Sequence, residues 1–333
     1  MKIAAVIATY NRKELLRECL QALLNQTRPP DEIIVVDGNS LDGTDLMMKI
    51  EFPQITYVRL RENMGASGHF YEGIKLAYRK GYDWIWVMDD DAEPKTDTLE
   101  KLIKWSDLKD AVVLTPVVIN KSMEIQKEHR GNISFDDDNT VFSLIQKPLT
   151  EEKYYSNVPV EITFTSFVGP LISRKAILKA GLPRKEFFIY NDDVEYSMRL
   201  IRAGKMYLIP TVYILHNVKT RSKNLVEKKF FRKKIYFVPY HELWRHYYGT
   251  RNIVYLRRLY STNKFKFIIS VLILWCYWAI RIILFEDHKL KRLQFTTSAF
   301  VDGFCGIFDN EKPKRILYGS KYQTKSIVNS NKL

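Results

Sequence analysis

The first hundred residues alternate short apolar runs with amphipathic helical patterns. The apolar runs are IAAVIA, EIIVVD, ITYVRL and WIWVM, and between them lie KELLRECLQALLNQ, LDGTDLMMKI and a helical stretch near residues 67–80. Apolar runs without polar alternation predict strands that are buried on both faces, and intervening helices predict parallel neighbours. The sequence therefore predicts an α/β fold with a mostly parallel, doubly wound sheet.

Polar residues follow each predicted strand of this region. In chain order they include Thr9, Tyr10, Arg12, Asp37, Asn63, Asp89, Asp90 and Asp91. Ligands of doubly wound sheets bind at the carboxyl ends of the strands. We therefore expect four strand ends to converge on one crevice.

Shorter elements follow as far as residue 220, where we expect the α/β domain to end. AVVLTPVVI and VEITFTSFVG predict strands around a polar stretch, Asp136–Asp138, that is predicted to be a mobile loop. Helices are expected near residues 174–180 and 193–203, followed by two short strands that end at His216.

Charge is distributed unevenly along the chain. Residues 1–218 carry 28 lysines and arginines against 31 acidic residues, whereas residues 219–333 carry 24 against 7. A basic region of this kind suits phosphates, nucleic acid or anionic lipid. The same region contains the apolar run Phe267–Phe285, which Arg281 interrupts, so a spanning helix and an interfacial or re-entrant helix are both open. Residues 221–333 are thus predicted to form a basic, helical region that associates with a membrane.

The expected compartment is the cytosolic side of that membrane. The three cysteines are far apart and odd in number, which suggests neither a disulfide framework nor a zinc site. The apolar stretch Ile3–Ala8 is too short for a secretory signal. We therefore expect the body of the protein to stay inside the cell.

Three consecutive carboxylates, Asp89 to Asp91, end the fourth predicted strand. Such groups raise one another's pKa unless a cation or strong hydrogen-bond donors compensate them, and a metal is the simplest source because no other compensating charge is evident in the sequence. Oxygen ligands suit Mg²⁺ or Mn²⁺, and the imidazole of His216 could complete the shell. An acidic turn that caps the helix near Thr96, with a structural His216, is the alternative.

A second carboxylate group, NDDVEY at residues 191–196, is predicted to begin a helix. Asp193 is the better catalytic candidate, because an ionised carboxylate can act as a general base that accepts the proton of an attacking hydroxyl. Its position at a helix N-terminus predicts an ionised carboxylate without an unusually raised pKa. Asp192 and Glu195 have the spacing of a capping box, so a structural role for Asp192 is equally open.

The basic aromatic stretch HELWRHYYGTRN contains Arg245 and Arg251. Guanidinium groups among aromatic rings could bind a diphosphate, a sugar face or a membrane surface. Nucleic acid also fits this composition, so a nucleic-acid-binding protein remains an alternative to an enzyme.

Taken in order, these motifs resemble the family 2 glycosyltransferases of the GT-A fold over roughly residues 1–255. The resemblance lies in IATYNR, VVDGNSLDGT, ENMGASGHFYEGI, WIWVMDDDAEP, FVGPLISR and FFIYNDDVEYSMRLIRAG followed by PTVYILH. It implies a GT-A, Rossmann-like domain over residues 1–220, with the nucleotide sugar bound by residues 1–120 and the acceptor side formed by residues 121–220. Bacterial galactofuranosyltransferases and rhamnosyltransferases are the most similar members.

The resemblance also implies roles for single residues. Thr9, Tyr10, Arg12 and Asp37 would hold the base and ribose, with Asn63 nearby. Asp89 and Asp91 would be the ribose-contacting and metal-binding ends of the family's acidic motif, with Asp90 on the nucleotide-sugar side. His216 would ligate the metal and Asp193 would be the base. The acceptor or diphosphate side would include Gly169, Asp192, Arg245 and Arg251.

The expected reaction is the inverting transfer of a hexosyl unit, with Mg²⁺ or Mn²⁺, to a lipid-linked saccharide in surface polysaccharide synthesis. Many rhamnosyltransferases carry Asp-Gln-Asp where this chain has Asp89-Asp90-Asp91, which favours UDP-galactofuranose as donor over dTDP-rhamnose. The expected location is the cytoplasmic face of the cell membrane, on anionic lipid, with a possible homo-oligomer and no nucleic acid. A catalytically silent scaffold that binds sugar nucleotides is a further alternative.

Overall fold

The computed structural model describes residues 1–135, 146–217, 225–230 and 233–319. The predicted loop at Asp136–Asp138 lies outside these residues. The described chain forms two compact units. The first contains residues 1–134, 146–188 and 192–217, and the second contains residue 135, residues 189–191 and the described residues from 225 onward.

The first unit holds the predicted α/β elements. In chain order they are β1 (Ile3–Thr9), α1 (Lys13–Leu24), β2 (Glu32–Asp37), α2 (Thr44–Glu51), β3 (Thr56–Arg59), α3 (Gly65–Arg79), β4 (Trp84–Asp89), β5 (Ala92–Pro94), α4 (Thr98–Ile103), β6 (Ala111–Ile119), β7 (Arg130–Ile133), β8 (Gln146–Pro148), α5 (Glu151–Tyr154), β9 (Val160–Ile162), β10 (Phe164–Thr165), β11 (Leu171–Ser173), α6 (Arg174–Ala180), α7 (Asp192–Leu200) and β12 (Lys205–His216). Short 3-10 turns lie at Lys127–His129 and Lys185–Phe187.

The main sheet has the order β3-β2-β1-β4-β11-β6-β12-β5, and β9 pairs with β12. The first four strands are parallel, whereas β11 runs antiparallel to both β4 and β6. The pairing sets Thr9 beside Asp37 and Ala8 beside Asp89. The predicted mostly parallel sheet is therefore confirmed, and three of the polar strand ends are neighbours.

Burial on both faces of the sheet explains the uninterrupted apolar runs. In β1, Ile3, Ala5 and Ile7 pack into the core on one face. The intervening residues Ala4, Val6 and Ala8 pack into the core on the other face. Alternate side chains of a strand point to opposite faces of the sheet. When both faces are buried, every position of the strand favours an apolar residue.

Two segments differ from the prediction. The two short strands expected before His216 form one strand, β12, whose pairing with β6 shifts register between Ile209 and Tyr213. Pro210 lies in this interval, and a proline cannot donate to a ladder, which is why the run looks divided in sequence. The run VEITFTSFVG instead splits into β9 on the main sheet and β10 on a three-stranded sheet with β7 and β8.

The second unit is mainly helical, as predicted, but also contains a hairpin. Its elements are β13 (Val226–Phe230), β14 (Lys233–Phe237), α8 (Trp244–Tyr260), α9 (Lys264–Phe285), α10 (Lys289–Cys305) and α11 (Lys312–Tyr318). Val254, Phe267 and Phe300 form a buried cluster among α8, α9 and α10. Within the described part of the chain, α9 is the one helix long and apolar enough to cross a membrane.

Candidate active site

Strand pairing brings His216 to the acidic residues that follow β4. The chain turns after Asp89, and β5 pairs antiparallel with the end of β12, so that His216 stands opposite Ala92. The amide of Asn217 donates to the carbonyl of Asp91 at 2.8 Å. One ligand atom each from Asp89, Asp91 and His216 then lies within 4.8 Å of the others. The three predicted metal ligands are therefore together.

The donor set suits a divalent cation. Nδ1 of His216 lies 3.0 Å from the amide oxygen of Gln126, which can only accept, so Nδ1 carries the proton and Nε2 presents a lone pair. That Nε2 is 3.3 Å from Oδ1 of Asp91, a buried atom without a hydrogen-bond partner. Two facing acceptors need either a proton or a metal ion between them, and the set of carboxylate oxygen with imidazole nitrogen suits Mn²⁺. Gln126, which orients His216, has no signal in the sequence.

Arg12 supplies a compensating charge that the sequence analysis missed. Its guanidinium donates to Asp90 Oδ1 and to Asp91 Oδ2, each at 2.7 Å. The hydroxyl of Thr9 donates to the other oxygen of Asp90, also at 2.7 Å. The expectation of an uncompensated acidic cluster is therefore wrong. In this structure two of the predicted nucleotide contacts, Thr9 and Arg12, hold Asp90.

Burial still makes this cluster costly to ionise. Burial, followed by the charges of Asp91 and Asp90, raises the pKa of Asp89 well above its usual range, and the charge of Asp192 adds to this effect. Burial also raises the pKa of Asp90 to about 7, against the favourable charge of Arg12. Asp192 therefore acts electrostatically on Asp89, although 103 positions separate them in the chain.

The remaining residues on the predicted nucleotide side hold their own loops. Asp37 is fully buried, and its carboxylate accepts from the amide of Ser40 at 3.0 Å and from the hydroxyl of Tyr57 at 2.5 Å. Asn63 accepts from the amide of Gly65 at 2.8 Å, at the start of α3. Tyr10 is 40% exposed at the end of β1. Exposure thus leaves Tyr10 as the most accessible of these side chains.

The two carboxylates at the start of α7 have different surroundings. Asp192 is buried and accepts from the hydroxyl of Ser67 at 2.8 Å, while Glu195 pairs with Arg199 at 2.7 Å. Ser67 and Arg199 are therefore side-chain partners of Asp192 and Glu195, and the structural role of Asp192 stays an alternative to a catalytic one. Ser67 lies within the motif ENMGASGHFYEGI, but the motif gave no indication of this contact.

Asp193 is half-buried, and its Oδ1 accepts from the amide of Val194 at 2.8 Å. Burial and then the charge of Asp192 raise the pKa of Asp193 to about 7. The expectation of an ordinary pKa at this position is therefore wrong. A carboxyl group with a pKa near 7 is well matched to general-base chemistry at neutral pH.

The last predicted residues have backbone or packing roles. Gly169 has φ of +81°, where a Cβ would lie 2.8 Å from Ile214 Cδ1, and its carbonyl accepts from the indole of Trp86 at 3.0 Å. Arg245, in the second unit, stacks over the ring of Trp244 at 5.0 Å. Arg251, also in the second unit, is fully buried. A guanidinium without exposed surface is unsuited to bind a diphosphate, so the predicted role of Arg251 on the diphosphate side is not part of the proposed function.

The amino-acid sequence is similar to those of known glycosyltransferases. A family profile described as "Glycosyl transferase family 2" matches residues 4–180. Galactofuranosyltransferase GlfT1 of Mycolicibacterium smegmatis is 29% identical over 214 residues, which are 61% of this chain and 66% of that relative, so the match spans less than two thirds of it. The dTDP-rhamnosyl transferase RfbF of Shigella flexneri is 24% identical over 311 residues, 92% of this chain and 96% of that relative.

A solved structure gives the same fold. It is the crystal structure of GalNAc-T7 with UDP, GalNAc and Mn²⁺, at a TM-score of 0.55 and 14% identity. The similarity covers 92% of this chain and 56% of that one. At this identity the similarity bears on the fold alone, and with the family profile it confirms the predicted GT-A architecture.

Proposed function

Because this chain belongs to glycosyl transferase family 2, we propose that it transfers one hexosyl unit, with inversion, from a nucleotide-diphosphate sugar to a saccharide hydroxyl. UDP-galactofuranose is the first proposed donor and dTDP-rhamnose the second. The names of the two relatives support this pair, and the sequence Asp89-Asp90-Asp91 favours the first. Membership of the family makes the chain a glycosyltransferase rather than a protein whose main role is binding nucleic acid.

The convergence of Asp89, Asp91 and His216 carries the proposal. Their ligand atoms lie within 4.8 Å of one another, and Oδ1 of Asp91 is buried without a hydrogen-bond partner. We propose that these residues hold Mg²⁺ or Mn²⁺. When bound, such an ion neutralises the charge that develops on the leaving nucleotide diphosphate. Arg12 then holds the orientation of Asp91 through its second oxygen.

Asp193 is the proposed general base. Its carboxylate accepts the proton of the acceptor hydroxyl while that oxygen forms the new bond to the anomeric carbon and the bond to the diphosphate breaks. The half-buried position and a pKa of about 7 support this role. Asp192, held by Ser67, supplies a neighbouring negative charge that keeps Asp193 basic.

A lipid-linked saccharide is the proposed acceptor, at the cytoplasmic face of the cell membrane. The second unit supports this with α9, whose apolar side chains Leu272 and Ile280 are each 57% exposed. The positive balance of residues 219–333 supports contact with anionic headgroups. Arg245 is a proposed contact for the acceptor's phosphate.

A panel of nucleotide sugars tests the donor. The protein would be incubated with UDP-galactofuranose, dTDP-rhamnose, UDP-glucose and UDP-N-acetylglucosamine, with Mn²⁺, and release of nucleotide diphosphate would be measured. We expect fastest release from UDP-galactofuranose, and preference for dTDP-rhamnose would select the second candidate. Binding without release from any donor, with or without membrane extract as acceptor source, would instead favour a silent scaffold.

A further inference from the structure

The segment that leads into α7 has an unusual backbone. Phe188, Tyr190 and Asn191 have φ of +66°, +68° and +62°, and none of them is a glycine. Left-handed conformations are unfavourable for residues with a side chain, and they persist where surrounding contacts enforce them. Asp192 and Asp193 follow directly in the chain. Contacts that fix the backbone of this turn therefore also fix the position of the first residues of α7.

Asn252 holds two carbonyls of this turn. Residues 189–191 belong to the second unit, as does Asn252 on α8. The side-chain amide of Asn252 donates from Nδ2 to the carbonyl of Ile189 at 3.0 Å and to that of Tyr190 at 2.8 Å. Asn252 is fully buried, so water does not compete for these bonds.

Arg251 fixes the orientation of that amide. Its Nε donates to Oδ1 of Asn252 at 3.0 Å, which directs the NH₂ group of Asn252 away from the arginine. Its Nη1 donates to Asn310 at 2.9 Å, and the guanidinium lies 4.8 Å from the ring centre of Phe308. The buried arginine is therefore held on two sides and cannot turn without losing these contacts.

We propose that Asn252, oriented by Arg251, is a positioning residue for catalysis: it holds the carbonyls of Ile189 and Tyr190, in the turn where Tyr190 and Asn191 have positive φ, and thereby sets the place of Asp193. This inference rests on the proposed function, because it takes Asp193 as the base. The inference gives Arg251 and Asn252, at the end of the basic aromatic stretch HELWRHYYGTRN, a role in the reaction that requires no contact with the donor.

The substitution Asn252→Ala removes the hydrogen bonds to the carbonyls of Ile189 and Tyr190. The additional substitution Tyr190→Gly tests whether a change in turnover arises because the turn is no longer held. Small displacements of a reacting group can cost about 10²-fold in rate, so we expect Asn252→Ala to lower turnover by roughly that factor. The affinity for UDP with Mn²⁺, measured by calorimetry, should not change. Tyr190→Gly in the Asn252→Ala background should recover turnover to within about tenfold of wild type, since glycine adopts a positive φ without strain.

Asn263→Ala is the matched control, because Asn263 belongs to the same unit and its side chain accepts from the amide of Lys266 at the start of α9. A folded Asn252→Ala protein with normal turnover would overturn the inference, as would a loss that Tyr190→Gly does not relieve. If Asn252→Ala does not fold, Asn252→Ser retains one donor and carries the same comparison.

Asp193→Asn, measured in parallel, separates this inference from the proposed function. Inactive Asp193→Asn with normal Asn252→Ala would overturn the positioning role alone. Active Asp193→Asn would mean that the base is misassigned. In that case hydrogen exchange at the amides of residues 192–194 decides: faster exchange in Asn252→Ala supports the hold on the turn, and unchanged exchange overturns it.

Discussion

Burial affects the carboxylates of the active site unequally. Asp90 is compensated by Arg12 and Thr9, and Asp192 by Ser67. Asp193 accepts from the backbone amide of Val194, and its pKa is raised to about 7 by burial and by the charge of Asp192. The pKa values of Asp90 and Asp193 are both raised to about 7, but both oxygens of Asp90 are held by Arg12 and Thr9, whereas no salt bridge to Asp193 is found among the described residues.

We expect Asp193→Asn to lower turnover while donor binding is retained. Asparagine keeps the shape of the side chain but cannot accept the proton, and general-base catalysis contributes about 10² to 10⁴ in rate. Transfer kinetics and donor calorimetry would measure the two effects separately. Asp192→Asn is the matched control, since asparagine can still accept from Ser67. An inactive, folded Asp192→Asn beside a nearly normal Asp193→Asn would assign the base to the other carboxylate.

The same pair predicts a pH dependence. A protonated base cannot accept a proton, so turnover should rise with pH up to about 7 and then level off. Burial is the first cause of the raised pKa of Asp193, and the charge of Asp192 is the second. Asp192→Asn removes the second cause, so its rise should occur at lower pH. A shift to higher pH would contradict the assignment.

Individual elements were predictable where the signal was local. The runs IAAVIA and EIIVVD predicted β1 and β2, because every position of a strand covered on both faces is apolar. Contacts across the chain were not predictable: Arg12 meets Asp90 and Asp91 at separations of 78 and 79 residues. The metal ligands were predictable from the three consecutive carboxylates after β4 and from the family motifs, whereas Gln126 and Asn252 act through pairings that only the fold creates.

The glycine at the start of α3 allows a prediction about the stability of the fold. Gly65 has φ of +72°, and a Cβ there would lie 2.1 Å from the carbonyl oxygen of Phe188. Gly81 has φ of +86° with nothing within 4 Å, so it is a matched control. An alanine with positive φ costs about 1–2 kcal/mol, which both variants incur. Gly65→Ala should lower the free energy of unfolding by more than Gly81→Ala, as measured by urea denaturation. Equal losses would show that the backbone of Phe188 moves aside.

The proposed catalytic residues and the excess of basic residues lie in different parts of the chain. The first unit contains the proposed metal and base residues, and residues 219–333 carry the basic excess. Within the second unit, Phe267 on α9 packs against Val254 and Phe300. Removing residues from 265 onward would therefore expose this cluster. Substitutions on the exposed face of α9 therefore test membrane binding more directly than truncation does.

We expect Leu272→Asp combined with Ile280→Asp to weaken binding to vesicles that contain anionic lipid. Both side chains are 57% exposed, so the change removes apolar contact with lipid while the buried cluster is retained. Vesicle flotation at low and high salt would measure it. Leu41→Asp, at an apolar residue that is 84% exposed in the first unit, is the control. Unchanged flotation of the α9 variant would contradict membrane contact through this face.

The central claim is that Asp89, Asp91 and His216 hold a divalent metal that transfer requires. Calorimetric titration with Mn²⁺, compared between wild type, His216→Ala and the exposed control His241→Ala, tests this directly, with nucleotide release measured before and after chelation. We expect His216→Ala to lose Mn²⁺ binding, His241→Ala to retain it, and chelation to abolish release until Mn²⁺ or Mg²⁺ is restored. Undiminished release after exhaustive chelation, or wild-type Mn²⁺ affinity in His216→Ala, would contradict the claim.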